Sequence, residues 1–241
     1  MSLPNDVIVS TSKLTALGDA IRSKTGGQAD LTLDEMASEI SGISGGGLPS
    51  EYEQVDYIES SGTQRINTGV FTDTAKTYRY QAVLNYPATS NEQYHGTTGN
   101  LTIGCNNQNA FICGTGTGKS FSKDTWYAFD VVFFGRKSGS YGNCQYLCFY
   151  NLGGGGGYMS NITYSFSAST EICLFALSNQ TKPSSCKMSS FKIDVEGETV
   201  RDFVPCYRKS DNEIGMYDTV NGQFYTNSGS GSFSCYPSPS N

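Results

Sequence analysis

Short segments rich in Tyr, Phe, Val and Thr recur along most of this chain, each followed by a cluster of Gly, Asn and Ser: YEQVDYIES, TYRYQAVLNY, NLTIGC, NAFICG, WYAFDVVFF, CQYLCFY, YSFSAS, EICLFAL, SSFKIDV, TVRDFVPCY, EIGMYD and QFYTN. β-Branched and aromatic side chains suit a pleated, half-buried surface, and the Gly and Asn clusters suit the turns between. That rhythm predicts a mainly β fold, with antiparallel strands closed into a sandwich or barrel. In YDTVNGQFY, Asn221-Gly222 predicts a hairpin turn of type I′. Gly153 to Gly157 predict a mobile loop between two strands.

The first forty-odd residues differ in kind. Leu14, Leu17 and Ile21 fall on one face of a helix that Gly26-Gly27 stops. Thr32 and Glu35 have the spacing of a capping box, with Met36, Ile40 and Ile43 forming the apolar face of a second helix. This gives a helical oligomerisation or attachment hairpin at 1–43, a Gly-rich linker at 44–50, a β unit at 51–236 and a flexible tail at 237–241. Two helices with so few apolar side chains cannot bury a core alone. They must dock on their own β domain or on further copies of the chain.

Charge narrows the partners. Sixteen basic and 22 acidic side chains leave a net charge of −6, without a basic run anywhere. Phosphate backbones need clustered Lys and Arg, so nucleic acid is not an expected partner. No apolar run approaches the roughly 18 residues of a membrane span, and neither membrane insertion nor an export address is expected. With no export address, the eight cysteines are expected to be free thiols, buried as small hydrophobes in segments such as AFIC, EICLF and DFVPC.

Motifs for chemistry are thin. CGTGTGKS ends like a phosphate loop, yet Cys113 stands where the pattern needs Gly and no helix follows, so a Gly-rich hairpin loop is the reading. A lone histidine, His95, excludes His/His metal pairs and sits in the polar stretch NEQYHGTTGN, read as a loop. Glu51, Glu53, Asp56 and Glu59 form the only dense carboxylate group of the β region. Alternation puts Asp56 on the opposite strand face from the other three, and they read as a solvated strand edge rather than the paired acid and base of a glycosidase. No catalytic residue, metal ligand or cofactor is called for.

Two stretches carry a resemblance. LPSEYEQVDYIESSGTQRINTGV and SFKIDVEGETVRDFVPCYRKSDNEIGMYDTVNGQFYTNSGSGSF resemble the opening and closing segments of a family of phage and prophage tail proteins of Gram-positive gut bacteria, with a laminin-G or concanavalin A-like domain. KLTALGDAIRSKTGGQADLTLDEMASEISGI resembles a helical module that precedes many tail-fibre and baseplate domains. The resemblance implies an antiparallel jelly-roll sandwich with Trp126, Phe129, Val131, Phe133 and Phe191 pointing inward. It further implies a non-enzymatic virion component, made in the bacterial host cytoplasm. Its expected partners are further copies of itself (a trimer by analogy with tail fibres), other virion proteins and a host-surface glycan. Loops rich in Asn, Gly and Tyr are the expected glycan contacts: Tyr94, Asn106, Asn107, Tyr141, Asn143 and Tyr158. Two other readings are a purely structural decoration module and a glycan depolymerase.

Overall fold

The computed structural model describes residues 15, 18, 19, 32, 48–86, 93–98, 101–106, 109–112, 115–135, 142–151, 161–164, 166–178 and 184–239; for 106, 109, 111–112, 115–119, 142–151 and 161–164 the backbone alone is described. The chain divides into two compact units, Met1–Pro49 and Ser50–Asn241. In the first, Thr15, Gly18 and Asp19 are helical. The rest of the expected hairpin, with Leu14, Leu17, Ile21, Met36, Ile40 and Ile43, lies outside the described residues, as does the Gly153 to Gly157 run.

The second unit is mainly β. Its strands in chain order are β1 (Tyr52–Gln54), β2 (Tyr57–Ser61), β3 (Ile66–Phe71), β4 (Tyr78–Asn85), β5 (Gln93–Gly96), β6 (Thr102–Asn106), β7 (Asn109–Ile112), β8 (Thr115–Ser120), β9 (Trp126–Phe133), β10 (Gly142–Asn151), β11 (Asn161–Tyr164), β12 (Glu171–Leu174), β13 (Ser185–Val195), β14 (Glu198–Arg208), β15 (Glu213–Asp218), β16 (Gln223–Tyr225) and β17 (Ser234–Tyr236). They form two antiparallel sheets. The larger runs β11-β10-β9-β4-β13-β14-β15-β16, with β1, β2 and β17 attached beside it, and the smaller runs β3-β12-β5-β6-β7-β8. The TGTGKS stretch is thus strand β8, paired with β7, and not a loop, while Cys113 and Gly114 lie outside the described residues; no helix follows it before β9.

Alternation explains which face of each strand is buried. In β4, Tyr78, Tyr80, Ala82 and Leu84 are buried while Arg79, Gln81 and Val83 are half-buried; in β9, Tyr127, Phe129, Val131 and Phe133 are buried while Trp126, Ala128, Asp130 and Val132 are not. The buried sets join Ile66, Ile103, Ile172 and Leu174 of the smaller sheet in one hydrophobic cluster. Tyr80 lies 4.8 Å from Phe133 and 5.5 Å from Phe191, ring centre to ring centre, and each such buried ring contributes about 1.5–3 kcal/mol. Phe129, Val131, Phe133 and Phe191 point inward as expected, but Trp126 does not. It shares the phase of Asp130, on the face away from the core.

The β13–β14 hairpin opens like a fork. It closes on a two-residue turn, Glu196-Gly197, with φ of 52° and 85°; both values are positive, as a type I′ turn needs. That turn was expected at Asn221-Gly222, where instead a four-residue loop, Thr219 to Gly222, joins β15 to β16 and Gly222 alone is left-handed at φ 68°. Away from its turn, β13 exchanges β14 for β2, through the pairs Lys187 with Glu59 and Met188 with Ile58. Likewise β14 takes β1 as partner over Cys206 to Arg208. At the branch, Val55 N–H donates to the Pro205 carbonyl at 3.0 Å. N–H and C=O of one strand residue project to the same side, so the N–H that Pro205 lacks falls at the branch and costs no ladder bond.

Clasps hold the first and last strands of this unit together. Gln64 is buried; its Oε1 accepts from Ser60 Oγ and Ser61 N–H, both at 2.9 Å, and its Nε2 donates to the Ser232 carbonyl at 2.9 Å. Asn227 Oδ1 accepts from Arg65 N–H and Gly229 N–H, at 3.1 and 2.7 Å. The polar residues of SSGTQRINTG and TNSGSGSF are therefore joints of the fold, which accounts for their specificity as sequence.

Candidate functional site

On the outer face of the larger sheet, where the fork brings β2 and β17 together, lies an open cleft of about 770 Å³ lined by Gln54, Val55, Asp56, Tyr57, Val83, Trp126, Ser189 and Tyr236. Ligand pockets usually enclose about 300–1,000 Å³. Three local events shape it. The β1–β2 strand breaks at Val55-Asp56, which turns Asp56 outward and lets its N–H donate to the Tyr236 carbonyl at 2.7 Å. The β13–β4 register shifts between Met188 and Ser190, a bulge that presents Ser189 to the cleft; bulges commonly re-aim side chains at sites of this kind. The third is the outward phase of β9, which brings Trp126 to the same face.

The aromatic groups form a connected set. Tyr57 and Tyr236 are cross-strand partners, stacked at 5.8 Å with 15° between their planes. Trp126 is tilted against Tyr57 at 5.6 Å, and Lys187 Nζ stands 5.4 Å from the Tyr57 ring centre. Tyr236 is 58% exposed, so much of its ring faces water. None of the polar groups here is engaged: the Gln54 amide, the Asp56 carboxylate, the Ser189 hydroxyl, the Trp126 indole N–H and the two tyrosine hydroxyls make no hydrogen bond or ion pair to any described residue. Asn85 sits in the same cross-strand row, between Trp126 and Lys187. It is buried with Oδ1 accepting no hydrogen bond, a state that costs about 1–3 kcal/mol.

Several polar side chains elsewhere on this unit are engaged. Arg79 grips Asp130 with two hydrogen bonds of 2.7 and 2.6 Å. Arg208 holds Asp211 through Nε and Nη2 across the β14–β15 turn, and Asp211 Oδ1 accepts from Glu213 N–H at 3.2 Å. Through this hydrogen bond Asp211 holds the Arg208 guanidinium above its usual pKa, and Arg208 holds the Asp211 carboxyl below its own. Glu53, in the expected solvated edge, pairs with Lys209 at 3.1 Å. The break between β1 and β2 means that strand alternation does not relate Glu51 and Glu53 to Glu59; Asp56 is the only carboxylate among the described residues of the cleft lining.

His95 is not in a polar loop. It lies in β5, fully buried, its Nδ1 accepting from Phe175 N–H at 2.9 Å and its Nε2 facing Cys186 Sγ at 3.6 Å. Burial pushes its pKa down to about 3 and pushes the Cys186 thiol well up. A neutral imidazole beside a protonated thiol packs a core and activates no nucleophile. Unfolded His95 titrates near 6.5 and folded His95 near 3, so between these values the unfolded state binds the extra proton. Stability should fall as pH drops from 6.5 toward 3, by up to about 1.4 kcal/mol per pH unit from this group. Urea unfolding across that range should show a shallower fall for His95→Gln; an unchanged slope would remove His95 as the cause.

Of the loop residues expected to contact glycan, Tyr94 is in β5 and 5% exposed, so its ring has no open face; the polar residues around it in the sequence concealed a core strand. Asn106 ends β6 and Asn143 lies in β10, their side chains outside the described residues. Asn107, Tyr141 and Tyr158 are outside altogether. Sequence reasoning missed Gln54, Asp56, Tyr57, Trp126, Ser189 and Tyr236. One signal was available: in WYAFDVVF, Trp126 shares its phase with Asp130 while four large apolar residues take the other. The described cysteines Cys105, Cys173, Cys186, Cys206 and Cys235 are free and buried. Among the described residues no helix is long and apolar enough to cross a membrane. No protein-family model matches the chain, nor is any curated protein or solved structure found to be similar to it.

Proposed function

We propose that this protein is a non-enzymatic phage virion component, a tail-fibre, baseplate or other surface-attached protein, whose β unit is a concanavalin A-like jelly roll that binds host-surface glycan through the outer-face cleft. The observation that carries this reading is the set of unengaged polar groups around Trp126, Tyr57 and Tyr236. Sugar rings present apolar faces to aromatic rings and hydroxyls to amides, carboxylates and N–H groups, and the cleft offers all of these without having to break internal bonds first. Among the described residues the cleft has one carboxylate where glycoside hydrolysis ordinarily takes two, which favours binding over cleavage.

The 1–43 segment is the self-association element of this reading, with Leu14, Leu17, Ile21, Met36, Ile40 and Ile43 as the contact between copies. Held together, weak single sites gain avidity through effective concentration. Purified Gram-positive cell walls should retain the full-length protein, and Leu17→Asp should lower both its oligomeric state and its retention. Release of reducing ends from the walls would replace this reading with a depolymerase. Absence of binding to any wall or capsule would leave a structural decoration module.

A further inference from the structure

We infer that the cleft takes an ammonium group, carried by an amino sugar or by a quaternary ammonium substituent of a surface polymer. The inference rests on the glycan-binding reading and narrows its ligand. Asp56 is the only charged residue among the described residues of the lining, and its carboxylate has no ion-pair partner among them. Lys187, the cross-strand neighbour of Glu59, stands over the Tyr57 ring with its Nζ 5.4 Å from the ring centre and is not itself part of the lining. Among the described residues, the charge carried by the lining itself is negative.

The rings add to it. An aromatic face carries the negative lobe of a quadrupole and attracts a cation within about 6 Å of its centre. Lys187 already occupies the Tyr57 ring in this way, which leaves the exposed Tyr236 ring and Trp126 as the faces for a ligand cation. Asp56 directly precedes Tyr57 and is tied by its N–H to the Tyr236 backbone, so carboxylate and rings belong to one local structure. A primary ammonium can donate to the Asp56 carboxylate while its carbon skeleton packs on a ring. A quaternary one has no N–H and is held by charge and ring faces alone. An anionic sugar would meet Asp56 with no lining cation to offset it, a repulsion that itself confers selectivity.

The test uses the full-length protein, reading the emission of Trp126, the only tryptophan of the chain. Fully deacetylated and fully N-acetylated chitooligosaccharides of equal length are titrated, with choline chloride and oligogalacturonate as further arms. The deacetylated oligomer should bind on the order of tenfold more tightly than the N-acetylated one, and added salt should shrink that preference. Asp56→Asn should bring the two affinities together, while Glu53→Gln, at the Lys209 ion pair outside the cleft, should keep the preference. Competition by choline would assign the quaternary source; its failure to compete, with the deacetylated oligomer still preferred, would assign the amino sugar. Equal or tighter binding of the N-acetylated or galacturonate oligomers would overturn the ammonium inference and leave the glycan reading intact. No change of Trp126 emission with any glycan would overturn both.

Discussion

Truncating Trp126 to alanine should weaken binding to cell-wall glycan on the order of thirtyfold or more while barely moving the thermal unfolding midpoint. A central aromatic residue of a binding site typically contributes about 2 kcal/mol or more, and each 1.4 kcal/mol is a factor of ten. Stability should be nearly unaffected because Trp126 lies on the outer face, in phase with Asp130, and the hydrophobic cluster closes without it. Tyr127, its neighbour in the chain, provides the contrast: it is buried against Phe121 at 4.3 Å between ring centres, and Tyr127→Ala should destabilise the fold. Calorimetric titration and thermal unfolding of the two variants separate the roles. A Trp126→Ala variant that binds like the wild type would take the cleft out of the account.

A second large effect is expected at Asp218, which is fully buried. Its Oδ1 accepts from Asp202 N–H at 2.9 Å and from Val220 N–H at 3.1 Å, and its Oδ2 stands 3.4 Å from Arg201 Nε. Arg201 in turn donates to the Thr68 carbonyl at 2.9 Å, which ties β14 of the larger sheet to β3 of the smaller. Removing the carboxylate strands two backbone donors and leaves a largely buried guanidinium without its counter-charge. Asp218→Ala should therefore cost about 3–5 kcal/mol, at roughly 2–4 °C of unfolding midpoint per kcal/mol for a unit of this size. Asp218→Asn keeps an acceptor for the backbone donors and should cost less. Equal losses for the two variants would assign the effect to the charge opposite Arg201 rather than to the hydrogen bonds, because Asn keeps the acceptor and loses only the charge.

Both variants bear on what the sequence made legible. Strand rhythm identified a mainly β unit because alternation is a local property: the inward set of β9 can be read from eight residues. The turn types were less legible. Asn-Gly is the commonest type I′ pair, yet Asp218 captures the Val220 N–H and draws the 219–222 loop into four residues, while the less conspicuous Glu196-Gly197 makes the two-residue turn. The motif-like RDFVPCYRKSDNEIGMYD is recognisable because its polar residues close turns: Asp211 and Asp218 take their partners from within it or just beyond.

The site was hidden for a different reason. Its residues come from six strands and a strand break, gathered only when the β13–β14 fork admits the first strands of the unit beside the last. Gln54, Asp56 and Tyr57 lie within the opening segment that carries the resemblance, Ser189 immediately precedes the closing one, and Tyr236 follows it. Attention to Asn- and Gly-rich loops in the middle of the chain led away from them. Non-local strand pairing assembles such a surface, and no window of sequence contains it.

The most direct test of the glycan-binding account is a titration of Trp126 fluorescence in the full-length protein with solubilised Gram-positive wall glycan, run in parallel with Tyr236→Ala. Because this tryptophan is the only one in the chain and lines the cleft, its emission reports that place alone. The account predicts a saturable change in emission that tracks calorimetric binding and is strongly weakened in Tyr236→Ala. Glycan binding measured by calorimetry without any change in Trp126 emission, and with the same affinity in Tyr236→Ala, would contradict it.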